Sequence, residues 1–139
     1  MDLLPLETLA NATALTTSLA AHGNALSLNQ SGHVTLALIY AVGTGGTGVE
    51  YVVQGSLEDS PTNWIPLEEI LDTSATASSG SLTAPSSRLV RQIVTASPSR
   101  LVLLDARGCR WLRVMARETT ATSISAAGTL TVQARVRIG

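Results

Sequence analysis

Residues 49–67 read V-E-Y-V-V-Q-G-S-L-E-D-S-P-T-N-W-I-P-L, and this stretch decides the fold class. An apolar strand pattern runs as far as Gly55, an acidic turn follows, and apolar residues resume at Trp64. Short strands separated by turn residues are typical of β-sandwiches and barrels. The hydrophobic period is mostly two elsewhere in the chain as well, so we predict an all-β antiparallel β-sandwich of about eight strands.

The predicted strands share an alternation of apolar and polar residues between turn signals. They cover residues 13–19, 25–28, 33–42, 49–57, 64–69, 89–95, 100–104, 110–118 and 128–138. In the last strand Leu130 and Val132 lie on one face and Arg135 and Arg137 on the other, which predicts one buried and one outward face. Residues 72–87, rich in Ser, Thr, Ala and Gly, are predicted to form a mobile surface loop.

Length and composition favour one domain with a surface suited to protein contacts. A chain of 139 residues is long enough for one core and short for two. Hydrophobic residues make up 45% but Phe is absent, so Leu, Val, Ile and Ala must fill the core. We predict a sandwich over residues 13–139 after an N-terminal arm over residues 1–12. Four leucines make this arm apolar enough to dock on a partner. They are Leu3, Leu4, Leu6 and Leu9.

Charge is divided unevenly along the chain. Residues 1–87 contain eight acids and no base, whereas residues 88–139 contain all nine arginines and two acids. This division has three interpretations: the halves interleave and neutralise each other within one sandwich, an acidic edge of one subunit meets a basic edge of the next, or the arginines bind nucleic acid. The last is weakened by the equal number of acids and by only two Trp and two Tyr for base stacking, so we expect no nucleic-acid partner.

Sequence patterns that suggest catalysis or metal binding are weak. Residues 43–48 satisfy G-x-G-x-x-G, but a strand follows where a dinucleotide site needs a helix, so we predict a hairpin loop. Cys109 is the only cysteine and lacks ligand partners at metal-binding spacing, and it is expected to be buried. A triad of Ser56, His33 and Asp59 would lack the strand-turn-helix elbow that exposes a nucleophile. We expect no catalytic residue, cofactor or metal.

The acidic and aromatic residues near the opening stretch permit a binding role. Glu58, Asp59, Glu68 and Glu69 are predicted to be solvated turn residues, because the calcium loop of an EF-hand is absent. Trp64 and Trp111 are expected in the core or at its rim, with a sugar-stacking platform as the alternative. No apolar run spans a bilayer, and the N-terminus lacks the basic start of a secretory signal, so we expect synthesis in the cytoplasm and no membrane partner.

Two segments together resemble the small β-sandwich virion proteins of tailed bacteriophages. In that family a strand ending in G-S-x-D leads to a Trp, matched here by Gly55, Ser56, Asp59 and Trp64. A later aromatic residue followed by L/V-R-V is matched by W-L-R-V at residues 111–114. The resemblance extends over roughly residues 33–138, and it departs from the family at residues 58–61, where E-D-S-P lengthens the turn.

The resemblance implies a jelly-roll-like fold and a place on the exterior of the phage capsid. It implies a head decoration, or cement, protein that binds the major capsid protein and assembles as a homotrimer, with a neck or tail component as a further possibility. A carbohydrate-binding module is the alternative from another class. The residues expected at interfaces are the apolar arm and an arginine face: Leu3, Leu4, Leu6, Leu9, Arg110, Arg113, Arg117, Arg135 and Arg137.

Overall fold

The chain folds into β-strands alone in the part that the structure describes. This computed structural model describes residues 3–28, 32–69, 90–120 and 123–138. The strands are β1 (Glu7–Ala14), β2 (Ala20–Ala21), β3 (Leu26–Ser27), β4 (Gly32–Ala41), β5 (Gly46–Ser56), β6 (Ile65–Pro66), β7 (Arg91–Val94), β8 (Ser99–Asp105), β9 (Trp111–Thr120) and β10 (Thr129–Ile138). The loop predicted over residues 72–87 lies outside the described residues.

The strands form two antiparallel sheets. Sheet A has the order β1-β10-β4-β8. In sheet B, β9 and β5 are central; β2 and β3 pair in succession with the outer edge of β9, and β6 and β7 pair with the outer edge of β5. β2 and β3 together occupy the position of one strand, and so do β6 and β7. Counted in this way and renumbered 1 to 8 along the chain, the strands have the order 1-8-3-6 in sheet A and 2-7-4-5 in sheet B, which are the orders of a jelly roll. The predicted all-β sandwich is confirmed.

The core lies between the two sheets and is filled by alternate residues of the long strands. Successive side chains of a strand point to opposite faces, so every second residue is buried. On β4, β9 and β10 the buried residues include Val34, Leu36, Leu38, Tyr40, Leu112, Val114, Ala116, Leu130, Val132, Ala134 and Val136. The faces predicted for the strand over residues 128–138 are therefore those observed.

The N-terminal segment belongs to sheet A from Glu7 onward, which corrects the predicted boundary between arm and sandwich at residue 12. β1 pairs with β10, and Leu9 and Ala10 are buried in the core. The predicted strand over residues 13–19 thus begins and ends earlier, at Glu7–Ala14. Two register shifts and the positive φ of Ala12 (46°) interrupt β1, so its sequence lacks a regular period of two.

The glycine-rich loop at residues 43–48 joins β4 of sheet A to β5 of sheet B, so it crosses the sandwich and is not the predicted hairpin. β5 already begins at Gly46, where a Cβ atom would clash with Glu118 Oε2 and lie 2.7 Å from the Tyr40 hydroxyl. Glycine at this position makes room for a buried carboxylate. The turn after β5, in contrast, is a hairpin, because Gly55 pairs with Ile65 of β6.

Candidate interaction surfaces

The outer face of sheet A carries exposed apolar residues beside arginines. In the register of the sheet, Ala37 of β4 lies between Gln133 and Leu101, and the next row contains Arg135, Thr35 and Leu103. The Leu101 side chain is 66% exposed. We call the exposed group Ile39, Leu101, Leu103 and Arg135 the β8 patch. A shallow depression of about 240 Å³ lies along it, lined in part by Ala37, Ile39 and Leu101.

Sequence reasoning missed the leucines of the β8 patch as interface residues, although a signal was present. Residues 100–105 read R-L-V-L-L-D, which is apolar at consecutive positions. In a strand with one wet face, apolar and polar residues should alternate. Val102 and Leu104 point into the core, so Leu101 and Leu103 must point outward. A strand that is apolar on both faces indicates an outer face that contacts something.

The predicted arm residues divide into exposed and buried ones. Leu3, at 62% exposure, and Leu6 are exposed, whereas Leu4 packs against the core and Leu9 is buried in it. Leu9 is therefore not available to a partner, because its side chain lies on the inner face of β1. Leu3 pairs with Arg137 through an isolated bridge. We call the exposed group Leu3, Leu6 and Arg137 the N-terminal patch.

The predicted arginine face is two faces on opposite sides of the sandwich. Arg135 and Arg137 project from the outer face of sheet A and are exposed, as predicted. Arg113 and Arg117 belong to β9 and lie on the outer face of sheet B, and Arg110 precedes that strand. The sequence alternation assigned each strand's faces correctly but did not show which sheet each strand joins.

The arginines of sheet B contact acceptors in their own chain. The Arg113 Nε donates to Gln54 Oε1 at 2.8 Å, and the Arg117 Nη2 donates to both carboxylate oxygens of Glu50 at 3.1 Å. Arg110 donates to the Ser27 hydroxyl at 2.8 Å. Because these guanidinium groups already have partners, they are poorer candidates for an interface than Arg135.

Both tryptophans lie half-buried on the outside of sheet B, and not in the core between the sheets. Trp111 is at an odd position of β9, where the side chains point outward. Its Nε1 donates to the backbone oxygen of Asp59 at 2.9 Å, and the Arg110 guanidinium lies 5.2 Å from its ring centroid. The Arg113 guanidinium lies 4.2 Å from the centroid of Trp64. A cation–π contact covers one face of each ring.

The halves of the chain that differ in charge are interleaved in the fold. Of the ion pairs between described residues, four join an acid of the first half to an arginine of the second: Glu69 with Arg91 and with Arg100, Asp59 with Arg110, and Glu50 with Arg117. Arg107 pairs with Asp105 within the second half, and its side chain holds the pKa of Asp105 well below the usual range. Neutralisation within one sandwich therefore accounts for much of the charge division.

In the acidic turn over residues 57–65, the Asp59 carboxylate is exposed and the Glu58 carboxylate accepts hydrogen bonds within the turn. Glu58 Oε1 accepts hydrogen bonds from the backbone N–H groups of Asn63 at 2.7 Å and Thr62 at 2.9 Å, which lower the pKa of Glu58. The Asp59 side chain is 95% exposed, and its oxygen lies 3.6 Å from Arg110 Nε. Leu57 and Ile65, at either end of the turn, are also exposed. The turn thus presents an acid between two apolar residues.

Two buried carboxylates, which the sequence did not single out as a pair, join the sheets. The Tyr40 hydroxyl donates to Glu118 Oε2 at 2.5 Å, and the Gly128 N–H donates to Oε1 at 2.8 Å. Glu69, predicted to be a solvated turn residue, is instead nearly buried. It accepts hydrogen bonds from the Tyr51 hydroxyl at 2.6 Å and from Arg100 Nη2 at 2.8 Å. These groups are satisfied by neighbours, which indicates a structural role.

The residues considered for catalysis are not brought together. Ser56 is buried on β5 of sheet B, and its hydroxyl accepts from the Glu58 N–H at 3.3 Å. His33 lies on β4 of sheet A. Cys109 is half-buried, and burial raises the pKa of its thiol. Among the described residues, no group of three or more His, Cys, Asp or Glu side chains could hold a metal ion. The described ranges also contain no helix that is long and apolar enough to cross a membrane.

Comparison with known proteins identifies the fold. No protein-family model and no curated protein matches the sequence. Among solved structures, the crystal structure of the SPBc2 prophage-derived protein YomS is similar over 97% of this chain and 92% of that chain. The TM-score is 0.55 and the sequence identity is 12%. At this identity the similarity shows a shared β-sandwich fold.

Proposed function

We propose that this chain is a non-enzymatic structural protein of a phage virion, a head decoration protein that bridges and stabilises neighbouring major capsid subunits. The observation that carries the proposal is the presence of large exposed apolar side chains on separate surfaces: the N-terminal patch, the β8 patch and the acidic turn. A bridging protein needs more than one adhesive surface, whereas an enzyme needs a cleft. The fold shared with a prophage-derived protein and the resemblance to phage virion proteins add support.

The N-terminal patch is assigned to the capsid. Leu3 and Leu6 are exposed next to the sheet edge formed by β1, and Arg137 supplies a cation beside them. Burial of a leucine side chain contributes about 1.5–3 kcal/mol, so two leucines give one copy a weak contact. Many copies bound at symmetry-related sites, each bridging two subunits, would add up to a stable shell. We expect the subunits to self-associate as homotrimers on the capsid exterior.

Particles of a phage that encodes this chain, prepared without it, provide the test. On heating they should release their DNA at a lower temperature than complete particles, and purified protein should restore the loss. The variant Leu3→Ser/Leu6→Ser should fail to restore it, while Leu19→Ser, which changes an exposed leucine elsewhere, should succeed. Equal release temperatures with and without the chain would contradict the proposal.

A carbohydrate-binding module is the second candidate, favoured by the half-exposed Trp64 and Trp111 on one side of sheet B. Guanidinium groups lie over both rings, and Glu58 is engaged in its own turn, so the arrangement is less suited to sugar stacking than an open platform. Titration of the protein with host-surface glycans, followed by tryptophan fluorescence, separates the two. The decoration role predicts no saturable change, and a saturable change lost in Trp64→Ala would favour the module.

A further inference from the structure

Two exposed surfaces of this chain are chemically complementary to each other. The acidic turn presents Asp59 between the exposed apolar residues Leu57 and Ile65, and the Asp59 side chain stays 95% exposed although Arg110 Nε lies 3.6 Å from it. The β8 patch presents Arg135 beside exposed leucines. Each surface therefore combines apolar area with a charge opposite to that of the other. Matching of this kind favours specific association between proteins, and polyanionic nucleic acid would leave the apolar area unused.

We propose that the acidic turn of one copy binds the β8 patch of a second copy, so that chains associate head to tail. In this contact the Asp59 carboxylate meets Arg135, and Leu57 and Ile65 cover Leu101 and neighbouring apolar atoms of β8. This inference specifies the self-association that the proposed function includes, and it uses surfaces other than the N-terminal patch. It can therefore hold or fail independently of capsid binding.

The positions of the two surfaces permit such a contact to repeat. β8 ends at Asp105, and the following loop, whose Arg110 N–H donates to the Ser56 backbone oxygen at 2.7 Å, brings the chain to the start of β9 beside the acidic turn. The Leu103–Arg135 row of the β8 patch thus lies toward the same end of the sandwich as the acidic turn, but on a different side of it. A contact between two different patches generates a ring when the rotation closes. The partner of each copy is then the next copy in the ring.

The contact should be weak and reversible. A single turn buries less than the roughly 800 Å² per partner of a standard stable interface, so association should depend on protein concentration. Analytical ultracentrifugation of the full chain over a wide concentration range provides the measurement. The wild type should form a discrete oligomer as the concentration rises. A wild type that remains monomeric up to millimolar concentration would overturn the inference.

Charge reversal identifies the surfaces involved. Asp59→Arg and Arg135→Glu should each weaken association about tenfold or more, a loss of about 1.4 kcal/mol per contact. The double variant Asp59→Arg/Arg135→Glu restores opposite charges and should recover most of the affinity. Gln92→Arg adds a positive charge at an exposed position of β7, away from both surfaces, and should have no effect. Single variants that associate like the wild type, or a double variant without recovery, would overturn the assignment.

Mixing tests the head-to-tail arrangement. Asp59→Arg lacks a working turn, and Leu101→Ser/Arg135→Ala lacks a working patch. In a mixture of the two variants, the intact β8 patch of the first can bind the intact acidic turn of the second. This single contact should give a 1:1 heterodimer and no larger species. No heterodimer in the mixture would mean that the contact joins like surfaces and would overturn the proposal. All changed side chains are exposed, and circular dichroism checks that each variant is folded.

Discussion

The hydroxyl of Tyr40 donates a 2.5 Å hydrogen bond to Oε2 of the buried Glu118 and thereby links β4 of sheet A to β9 of sheet B. The other carboxylate oxygen accepts from the backbone N–H of Gly128, the residue before β10, so both donors to this sheet B carboxylate come from the side of sheet A. Glu118 occupies an inward position in a strand whose other inward residues are apolar. A buried carboxylate is tolerated only when its hydrogen bonds are made, so this end of the sandwich depends on these partners.

Replacement of Tyr40 by Phe should therefore lower the free energy of unfolding by about 1.5–3 kcal/mol, because a hydrogen bond to a charged, buried acceptor is lost. Urea denaturation measures the change. Tyr51→Phe is the matched control: Glu69 keeps a hydrogen bond from the cationic Arg100, whereas Glu118 keeps only the neutral N–H of Gly128, so the loss should be smaller. A larger loss for Tyr51→Phe than for Tyr40→Phe would contradict this ranking.

The close approach of Gly46 to Glu118 predicts a second stability effect. Gly46→Ala places a methyl group against the Glu118 carboxylate and should cost about 1–3 kcal/mol, the range found for overpacking. At Gly108 an added Cβ meets nothing within 4 Å, although its φ of +91° imposes strain of about 1–2 kcal/mol. Gly46 has no positive φ, so the loss of unfolding free energy in Gly46→Ala reports the steric contact, and that in Gly108→Ala reports backbone strain without a contact. Thermal stability equal to that of the wild type in Gly46→Ala would argue against the packed carboxylate.

Both tyrosines of the chain should resist ionisation until the protein unfolds. Burial, reinforced by hydrogen bonds to Glu118 and Glu69, raises the pKa of Tyr40 and of Tyr51 above the ordinary value of 10.0. The folded state thus favours neutral tyrosine; this contribution to stability is complete below pH 10.0 and is lost as the pH rises above it. Ultraviolet absorbance of tyrosinate should therefore appear together with the loss of the circular dichroism signal. Tyrosinate in still-folded protein near pH 10.0 would refute the two hydrogen bonds.

The acidic turn should become less stable in acid through Glu58. Hydrogen bonds from the backbones of Asn63 and Thr62 lower its pKa from 4.5, so its contribution is present above pH 4.5 and is lost as the pH falls through the lower, folded-state value. Glu58→Gln should flatten the dependence of unfolding free energy on pH in this acid range. Glu7→Gln removes the same charge from β1, away from this turn, and serves as the control. A pH dependence unchanged in Glu58→Gln would show that the turn does not hold the carboxylate.

The sandwich was predictable because its long strands alternate cleanly. Residues such as Leu36 and Val132 occur at every second position, and a single period of two determines which face is buried. The N-terminal strand was misplaced because bulges and the positive φ of Ala12 interrupt that period. A bulge gives no recognisable sequence pattern here. The early start of β1 at Glu7 therefore became visible only from its pairing with β10.

The candidate surfaces were only partly predictable, because strand alternation does not show which sheet a strand joins. Arg113 and Arg135 have similar surroundings in the sequence, yet the fold places them on opposite sides of the sandwich. Leu3 and Leu9 both lie in the apolar N-terminal segment, yet Leu3 is exposed and Leu9 is buried in the core. Trp64 likewise packs against Arg113, and Trp111 donates to the backbone oxygen of Asp59, and both of these partners lie far away in the sequence.

An electron cryomicroscopy reconstruction of the assembled phage particle tests the proposed role most directly. We predict density for this sandwich on the outer surface of the head, at symmetry-related positions between capsid subunits, with Leu3 and Leu6 facing the shell. Density confined to the neck or tail, or a particle that lacks this chain, would contradict the account.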